Sequence, residues 1–412
     1  MSFSETCANA RKASRALAIA AAADKNAALE AFAAALVSNA ARIASENEQD
    51  VAAARARGTK DALVDRLVLD APRIASVAKS VREIAAAQDP VGQLIEERTV
   101  SNGLRIRRVR VPLGVIGMIY EARPNVTAEA ASLCFKSGNA VILRGGSDAI
   151  RTNVAIADVV RAALPEKWRD AVQLADAASR ESVLEMVRAE GAIDLVIPRG
   201  GEALIRFVTE NARVPVVQHF KGVCHLYVDA GVDVEEATRI VVNAKLSRPG
   251  VCNALECLLV NETEAARLLP PIASALVTGG CELRGDERTC ALVHAATHAT
   301  EDDWGTEFLD RILAVRVVAG LDGALEHIAR FGSGHTEAIL TKDEGHAERF
   351  RREVDAACVV VNASTRFHDG GELGLGAEIG IATSRLHWRG PMGLESLTTM
   401  KWLVDGHGQV RV

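Results

Sequence analysis

Val115-Ile116-Gly117-Met118-Ile119-Tyr120, followed after a helical run by Ala140-Val141-Ile142-Leu143-Arg144-Gly145-Gly146-Ser147, decides the fold class. Each segment is a short apolar run closed by turn residues, as expected of a strand covered on both faces. The stretch 127–137 between them is long enough for a crossover helix. The rhythm then repeats: a helix to Leu164, a strand at 172–174, a helix at 180–189, a strand at 195–197, the turn Gly200-Gly201 and a helix at 202–211. Such alternation predicts a parallel, doubly wound α/β sheet.

A second α/β stretch begins near Val228 and continues through Ile339 to Val361. Upstream, residues 4–88 read as helical. Leu29, Phe32 and Leu36 share one face, and Ile74, Val77, Val81 and Ile84 another. Asp24, Asp61 and Asp70 are candidate helix starts, the last with Pro72 just behind it. Between this lead-in and the first strand, Asn102-Gly103 separates two alternating segments and predicts a hairpin. A projecting hairpin serves either as an inter-subunit sheet or as a surface flap. Residues 369–380 are glycine-rich and read as a loop. The tail, 397–412, has two strand-like runs around Asp405-Gly406-His407-Gly408.

Bulk properties narrow the function classes. The 412 residues are 49% hydrophobic and 25% charged, ordinary for a globular chain and enough for two or three domains. A net charge of -6 argues against nucleic acid as the main partner, and at 4% aromatics offer few stacking platforms. The one basic run, Arg105-Ile106-Arg107-Arg108-Val109-Arg110, alternates like a half-exposed strand. Eight scattered cysteines without a C-x-x-C pair suggest a reduced, cytoplasmic setting. No apolar stretch reaches membrane-spanning length, about 18 residues, and no secretory leader is expected.

The chemistry is expected to gather around Lys245-Leu246-Ser247-Arg248-Pro249-Gly250-Val251-Cys252-Asn253-Ala254. A helical pattern breaks at Pro-Gly, a thiol follows, and an apolar run then enters a core. A loop between two buried elements holds a nucleophile rigidly while leaving it reachable, although a cysteine is more commonly inert. Two glycine turns, Arg144-Gly145-Gly146-Ser147 and Pro198-Arg199-Gly200-Gly201-Glu202, could bring backbone amides to a phosphate. Neither carries G-x-G-x-x-G. Arg144 and Arg199 would suit a 2′-phosphate, favouring NADP over NAD. Asn125, just past a strand and behind Pro124, is either an oxyanion donor or a local turn or cap residue. His219 and His225 are conceivable bases for Cys252. No metal-ligand spacing occurs among the histidines and cysteines.

These motifs together resemble the gamma-glutamyl phosphate reductase family, also called glutamate-5-semialdehyde dehydrogenases, of the aldehyde dehydrogenase superfamily. The resemblance runs through residues 111–147, the Cys252 loop, Asn362-Ala363-Ser364-Thr365-Arg366-Phe367-His368-Asp369-Gly370, Gly374-Leu375-Gly376-Ala377-Glu378-Ile379-Gly380 and His387-Trp388-Arg389-Gly390-Pro391-Met392-Gly393. It implies two doubly wound α/β domains, a β-hairpin oligomerisation arm and a helical lead-in. The expected boundaries are 1–96 and 113–224 for the NADP-binding domain, 225–384 for the catalytic domain, and 97–112 with 385–412 for the arm and C-terminal strands.

The same resemblance implies Cys252 as nucleophile and Asn125, with the Cys252 amide, as the oxyanion hole. Arg144, Gly145, Ser147, Gly200, Gly201 and Glu307 fall at cofactor positions. Arg123, Lys245, Arg248 and Arg366 are candidate anion partners, with His368 and Asp369 toward the substrate's amino end. The implied reaction is NADPH-dependent reduction of L-glutamyl 5-phosphate to L-glutamate 5-semialdehyde and phosphate through a thioester. It belongs to proline biosynthesis, implies a homo-oligomer, and has glutamate 5-kinase as a functional partner. One departure is informative. Hydrolytic relatives carry a water-activating glutamate where this chain reads Gln218-His219-Phe220-Lys221-Gly222, and without that base the thioester is spared from water. A hydrolytic aldehyde dehydrogenase and a non-redox cysteine hydrolase are the alternatives.

Overall fold

Five helices open the chain where the apolar spacing predicts them: α1 (Phe3–Leu17), α2 (Ala22–Ser38), α3 (Ala40–Ala56), α4 (Asp61–Leu67) and α5 (Ala71–Ala86). Asp70 caps α5, its side chain accepting from Arg73 N–H, and Asp61 is the first residue of α4. Asp24 lies inside the first turn of α2, whose cap is Ala21. This computed structural model describes residues 2–176, 181–218 and 220–411. It forms two units, one of residues 1–218, 374–380 and 386–412, the other of 219–373 and 381–385.

In the first unit, β1 (Leu94–Thr99) and β2 (Arg105–Pro112) make the predicted hairpin. Gly103 turns it at φ 84°, and Asn102 Oδ1 accepts from Leu104 N–H. The two segments expected to form an arm pair with each other: β2 also binds the C-terminal strand Thr398–Asp405, Thr398 opposite Pro112 and Asp405 opposite Arg105. Residues 406–411 carry no second strand. The arginines of β2 are held in ion pairs, Arg105 to Glu97, Arg107 to Asp405 and Arg110 to Glu395.

The parallel sheet follows: β3 (Val115–Tyr120), α6 (Asn125–Lys136), β4 (Ala140–Gly145), α7 (Ile150–Ala163), β5 (Val172–Leu174), α8 (Glu181–Val187), β6 (Leu195–Arg199) and α9 (Glu202–Asn211). Strand order is β5-β4-β3-β6. All six residues of β3 are buried. Each large apolar side chain there contributes about 1.5–3 kcal/mol. The winding reverses at β3, so the carboxyl ends of β3 and β6 flank a topological switch point.

The second unit holds a seven-stranded parallel sheet in the order β10-β9-β11-β8-β7-β12-β13. Its elements are β7 (Cys224–Val228), α10 (Val234–Leu246), β8 (Leu255–Asn261), α11 (Ala265–Thr278), β9 (Glu282–Gly285), α12 (Glu287–Leu292), β10 (Thr297–His298), β11 (Ile312–Val318), α13 (Gly320–Phe331), β12 (Thr336–Leu340), α14 (Glu344–Glu353) and β13 (Cys358–Val361). The sheet therefore starts at Cys224, a full strand before the point expected from the apolar run. Alternation along β8 sends Leu258 and Val260 into the core under α10 and α11, and Cys257 and Leu259 into the core under α13 and α14. No two cysteines are bridged among the described residues.

Candidate active site

The thiol loop begins where α10 ends. Asp233 caps the start of that helix through Glu236 N–H; Ser247 caps its end, and Pro249-Gly250 follows. Cys252 is half-buried, whereas Cys224 and Cys257 beside it in the fold are fully buried. The loop is pinned from several sides. Asn253 Nδ2 donates to the carbonyls of Arg366 (3.4 Å) and His368 (3.0 Å), and Thr365 Oγ1 donates to Asn253 O (2.7 Å). The Cys224 thiol donates to Cys252 O at 3.1 Å. Gly222 lies so close that a Cβ there would stand 2.2 Å from Cys252 O and 2.9 Å from its Cα. This close approach, with no positive φ involved, requires glycine, and no local feature of the chain signals it.

Lys245 departs from expectation. Read as an anion partner for substrate, it is fully buried and its Nζ lies 2.5 Å from Glu256 Oε2. A buried ammonium needs a paired charge, and this one has it inside the protein. The other carboxylate oxygen, Glu256 Oε1, accepts from Leu309 N–H at 3.2 Å. Burial pushes the Glu256 carboxyl up to about 7 although Lys245 opposes it; Glu307 nearby adds to the rise. The structure thereby gathers Cys252, Lys245, Glu256 and the Glu307 turn in one place. Arg248 is exposed and Arg366 half-buried. His368 is also corrected: it is fully buried, with Nδ1 2.7 Å from Thr336 Oγ1, so its ring serves the loop's foundation. Asp369 accepts from Gly371 N–H in a local turn.

Beneath the loop lies a buried polar row. His225 Nδ1 is 2.9 Å from Glu337 Oε2, which also takes His225 N–H. Burial opposes charge on this ring, yet Glu337 and Cys257 lift its pKa to about 10. Cys257 Sγ lies 3.5 Å from His327 Nε2, and Arg316 is 3.0 Å from His327 Nδ1. His225, Cys257 and His327 bring three donor atoms within 4.8 Å of one another. Arg316 can only donate, so His327 accepts at Nδ1 and keeps its proton at Nε2. That tautomer does not offer Nε2 to a metal; it donates Nε2–H toward Cys257 Sγ instead. Neither ring nitrogen of His225 bonds Cys252, which removes His225 as its base. His219 lies outside the described residues.

The first unit carries the other candidates. Asn125 is the first residue of α6, whose cap is Pro124 without a side-chain bond, so Asn125 is not the cap. Its Nδ2 donates to Glu129 Oε2 at 3.1 Å. Ala122, two residues past β3, sits at φ 45°, a strained turn that aims this segment. Arg123 is half-buried. Arg144 is 9% exposed, with Nε 3.3 Å from Ser182 Oγ. Gly145 has a packing reason: a Cβ would stand 2.1 Å from Asn153 Nδ2. Ser147 is exposed. At the switch point, Gly201 N–H donates to Glu121 Oε2 at 3.0 Å, and a Cβ on Gly200 would meet that same oxygen at 2.4 Å. An amide at the start of α9 thus already binds an anion. Glu121 was visible in the sequence, but nothing local pointed to this contact across 80 residues.

Residues 2–299 match the family model described as "Aldehyde dehydrogenase family". A gamma-glutamyl phosphate reductase of Sorangium cellulosum is 60% identical over 98% of this chain and 96% of its own length. One from Anaeromyxobacter sp. strain K is 55% identical over 97% and 95%. The crystal structure of gamma-glutamyl phosphate reductase from Thermotoga maritima superimposes with a TM-score of 0.97 at 47% identity, covering 99% of both chains. The chain belongs to the aldehyde dehydrogenase family, in the branch of the gamma-glutamyl phosphate reductases. The α/β aldehyde dehydrogenase fold and the helical lead-in expected from the sequence are those observed.

Proposed function

We propose that this chain reduces L-glutamyl 5-phosphate to L-glutamate 5-semialdehyde and phosphate with NADPH, in proline biosynthesis in the cytoplasm, taking its substrate from glutamate 5-kinase. The observation that carries the reading is the setting of Cys252. It is half-buried on a loop pinned by Asn253, Thr365, Cys224 and Gly222. Two carboxylates packed below the loop, Glu256 and Glu337, are buried and paired with Lys245 and His225. Neither can serve as a base to activate water, which favours an acyl phosphate over a hydrolytic reaction.

Cys252 attacks the acyl phosphate carbonyl, and Asn125 and the Cys252 amide take the oxyanion charge. Phosphate leaves, and the acyl group stays on sulfur as a thioester. Arg123, Arg248 and Arg366 are the cations available for phosphate and the substrate carboxylate. A bound nicotinamide dinucleotide supplies the hydride that turns the thioester into the aldehyde. The first unit fits such a group: the glycine turn before α9 presents an amide N–H that already donates to a carboxylate, at the sheet's switch point. Gly200, Gly201, Arg144, Ser147 and Glu307 would hold it.

The test is the reverse reaction. With semialdehyde and NADP+, formation of NADPH is expected to require phosphate. NADPH formed at the same rate without phosphate would replace this reading with the hydrolytic one.

A further inference from the structure

We propose that the buried Lys245–Glu256 pair is a positioning device that ties the Glu307 turn to the thiol loop, holding nucleophile and cofactor-facing carboxylate in one register. The inference rests on the reading above, in which Glu307 meets the dinucleotide.

The two residues stand on either side of the thiol loop, Lys245 in the last turn of α10 and Glu256 on β8. Both side chains are fully removed from solvent, and their contact, Nζ to Oε2 at 2.5 Å, closes the loop that carries Cys252. The second oxygen of Glu256 then reaches out of this closed loop to Leu309 N–H. Leu309 sits at φ 53°, a conformation a branched side chain avoids unless its surroundings hold it there. It is 44% exposed, so packing does not do the holding. Its carbonyl in turn faces Gly250 of the thiol loop, where a Cβ would stand 3.7 Å away. The turn containing Glu307 is therefore hydrogen-bonded to β8 through Glu256, and its Leu309 carbonyl lies on the side of Gly250 where a Cβ would stand.

Stability alone does not account for the pair. Two apolar side chains of similar volume commonly serve a core as well as, or better than, a buried ion pair. What an apolar pair cannot do is accept a hydrogen bond from Leu309. Lys245 fixes the position of the Glu256 carboxyl; Glu256 fixes the turn. Neither residue is thereby catalytic: both act through Glu307 and the thiol loop.

Two double variants separate positioning from folding. Lys245→Met/Glu256→Leu removes the charges and the acceptor. Lys245→Met/Glu256→Gln removes the charges and keeps an amide oxygen for Leu309. Each is compared with the parent by NADPH titration, by kcat and by thermal midpoint. The Met/Leu protein is expected to fold with a midpoint near the parent's, to bind NADPH about tenfold more weakly and to lose up to about 10²-fold in kcat, the scale of a misplacement near 1 Å. The Met/Gln protein is expected to recover most of both. Parent-like NADPH affinity and kcat in Met/Leu would overturn the proposal. So would a Met/Leu chain that fails to fold, or equal losses in both doubles with falling midpoints, because the pair would then serve only the fold. A parent that binds no NADPH would instead sink the functional reading on which the proposal rests.

Discussion

The two ends of the second unit's sheet treat their buried polar groups in opposite ways. At the carboxyl end, Asp229 receives Tyr227 O–H (2.8 Å), Asn261 Nδ2 (3.1 Å), Thr341 Oγ1 (2.8 Å) and His346 Nδ1 (2.6 Å). Asn362 closes the same end by exchanging two hydrogen bonds with the Thr341 backbone. At the amino end, under the Cys252 loop, His225 Nε2, Glu337 Oε1 and Asn253 Oδ1 are buried with no hydrogen-bond partner. Saturated networks rigidify; buried groups left short are expensive and call for an explanation. Doubly wound sheets usually bind ligands beyond their carboxyl ends. Here that end is filled with structure, and the candidate thiol stands before the first residue of β8. The unmet groups lie at the end where the candidate thiol stands.

The largest expected effect follows from the close approach at Gly222. Gly222→Ala should push the Cys252 backbone aside and cut kcat by about 10²-fold or more, while NADPH titration shows binding nearly intact. A fully active Gly222→Ala enzyme would mean the loop is not held as described. At the saturated end, Asp229→Ala strands Tyr227, Asn261 and Thr341 and should reduce stability by about 3 kcal/mol, measured by urea unfolding. Activity per folded molecule should stay near that of the parent. If Asp229→Ala lost activity without losing stability, the division between the two ends would fail.

Smaller effects sharpen the contrast. Cys257→Ser keeps a group of similar size in the buried row and should change kcat by less than about threefold, since Cys257 is sealed from substrate. Abolished turnover in Cys257→Ser would make Cys257 the nucleophile. The smallest effect is a pH slope. The Asp229 carboxylate raises the His346 pKa above its usual 6.5 despite opposing burial, and Asp343 adds to the rise. A raised histidine contributes stability fully below its unfolded pKa and loses it as pH rises through the folded value. Urea midpoints of the parent should therefore fall slightly as pH rises above about 6.5, in addition to the fall contributed by His225, whose pKa is lifted to about 10. His346→Gln should flatten that fall; an unchanged slope would remove His346 as its source.

Much of this was legible in the chain. The unbroken apolar runs of β3 and β4, the Asn102-Gly103 turn and the helix Glu202–Asn211 were all readable, because period and turn chemistry are local. So was the thiol loop, since Pro249-Gly250 stops a helix immediately before a buried strand. What stayed hidden depends on long-range pairing. Cys224 and His225 look too polar to open a strand, until Glu337, 112 residues away, is seen to accept from His225. Lys245 reads as a cation for solvent or substrate because lysines are seldom fully buried. Only the fold shows that Glu256 neutralises it. The second strand expected in the tail does not form: among the described residues, 406–411 join no sheet.

The central claim concerns one thiol among eight. Treatment of the folded enzyme with limiting iodoacetamide, followed by peptide mass spectrometry and activity measurements on the same samples, tests it most directly. Alkylation of Cys252 is expected to track loss of activity one for one, prior addition of the acyl-donating substrate to protect it, and Cys224 and Cys257 to stay unmodified. Activity lost in step with any other cysteine, or retained with Cys252 fully alkylated, would contradict it.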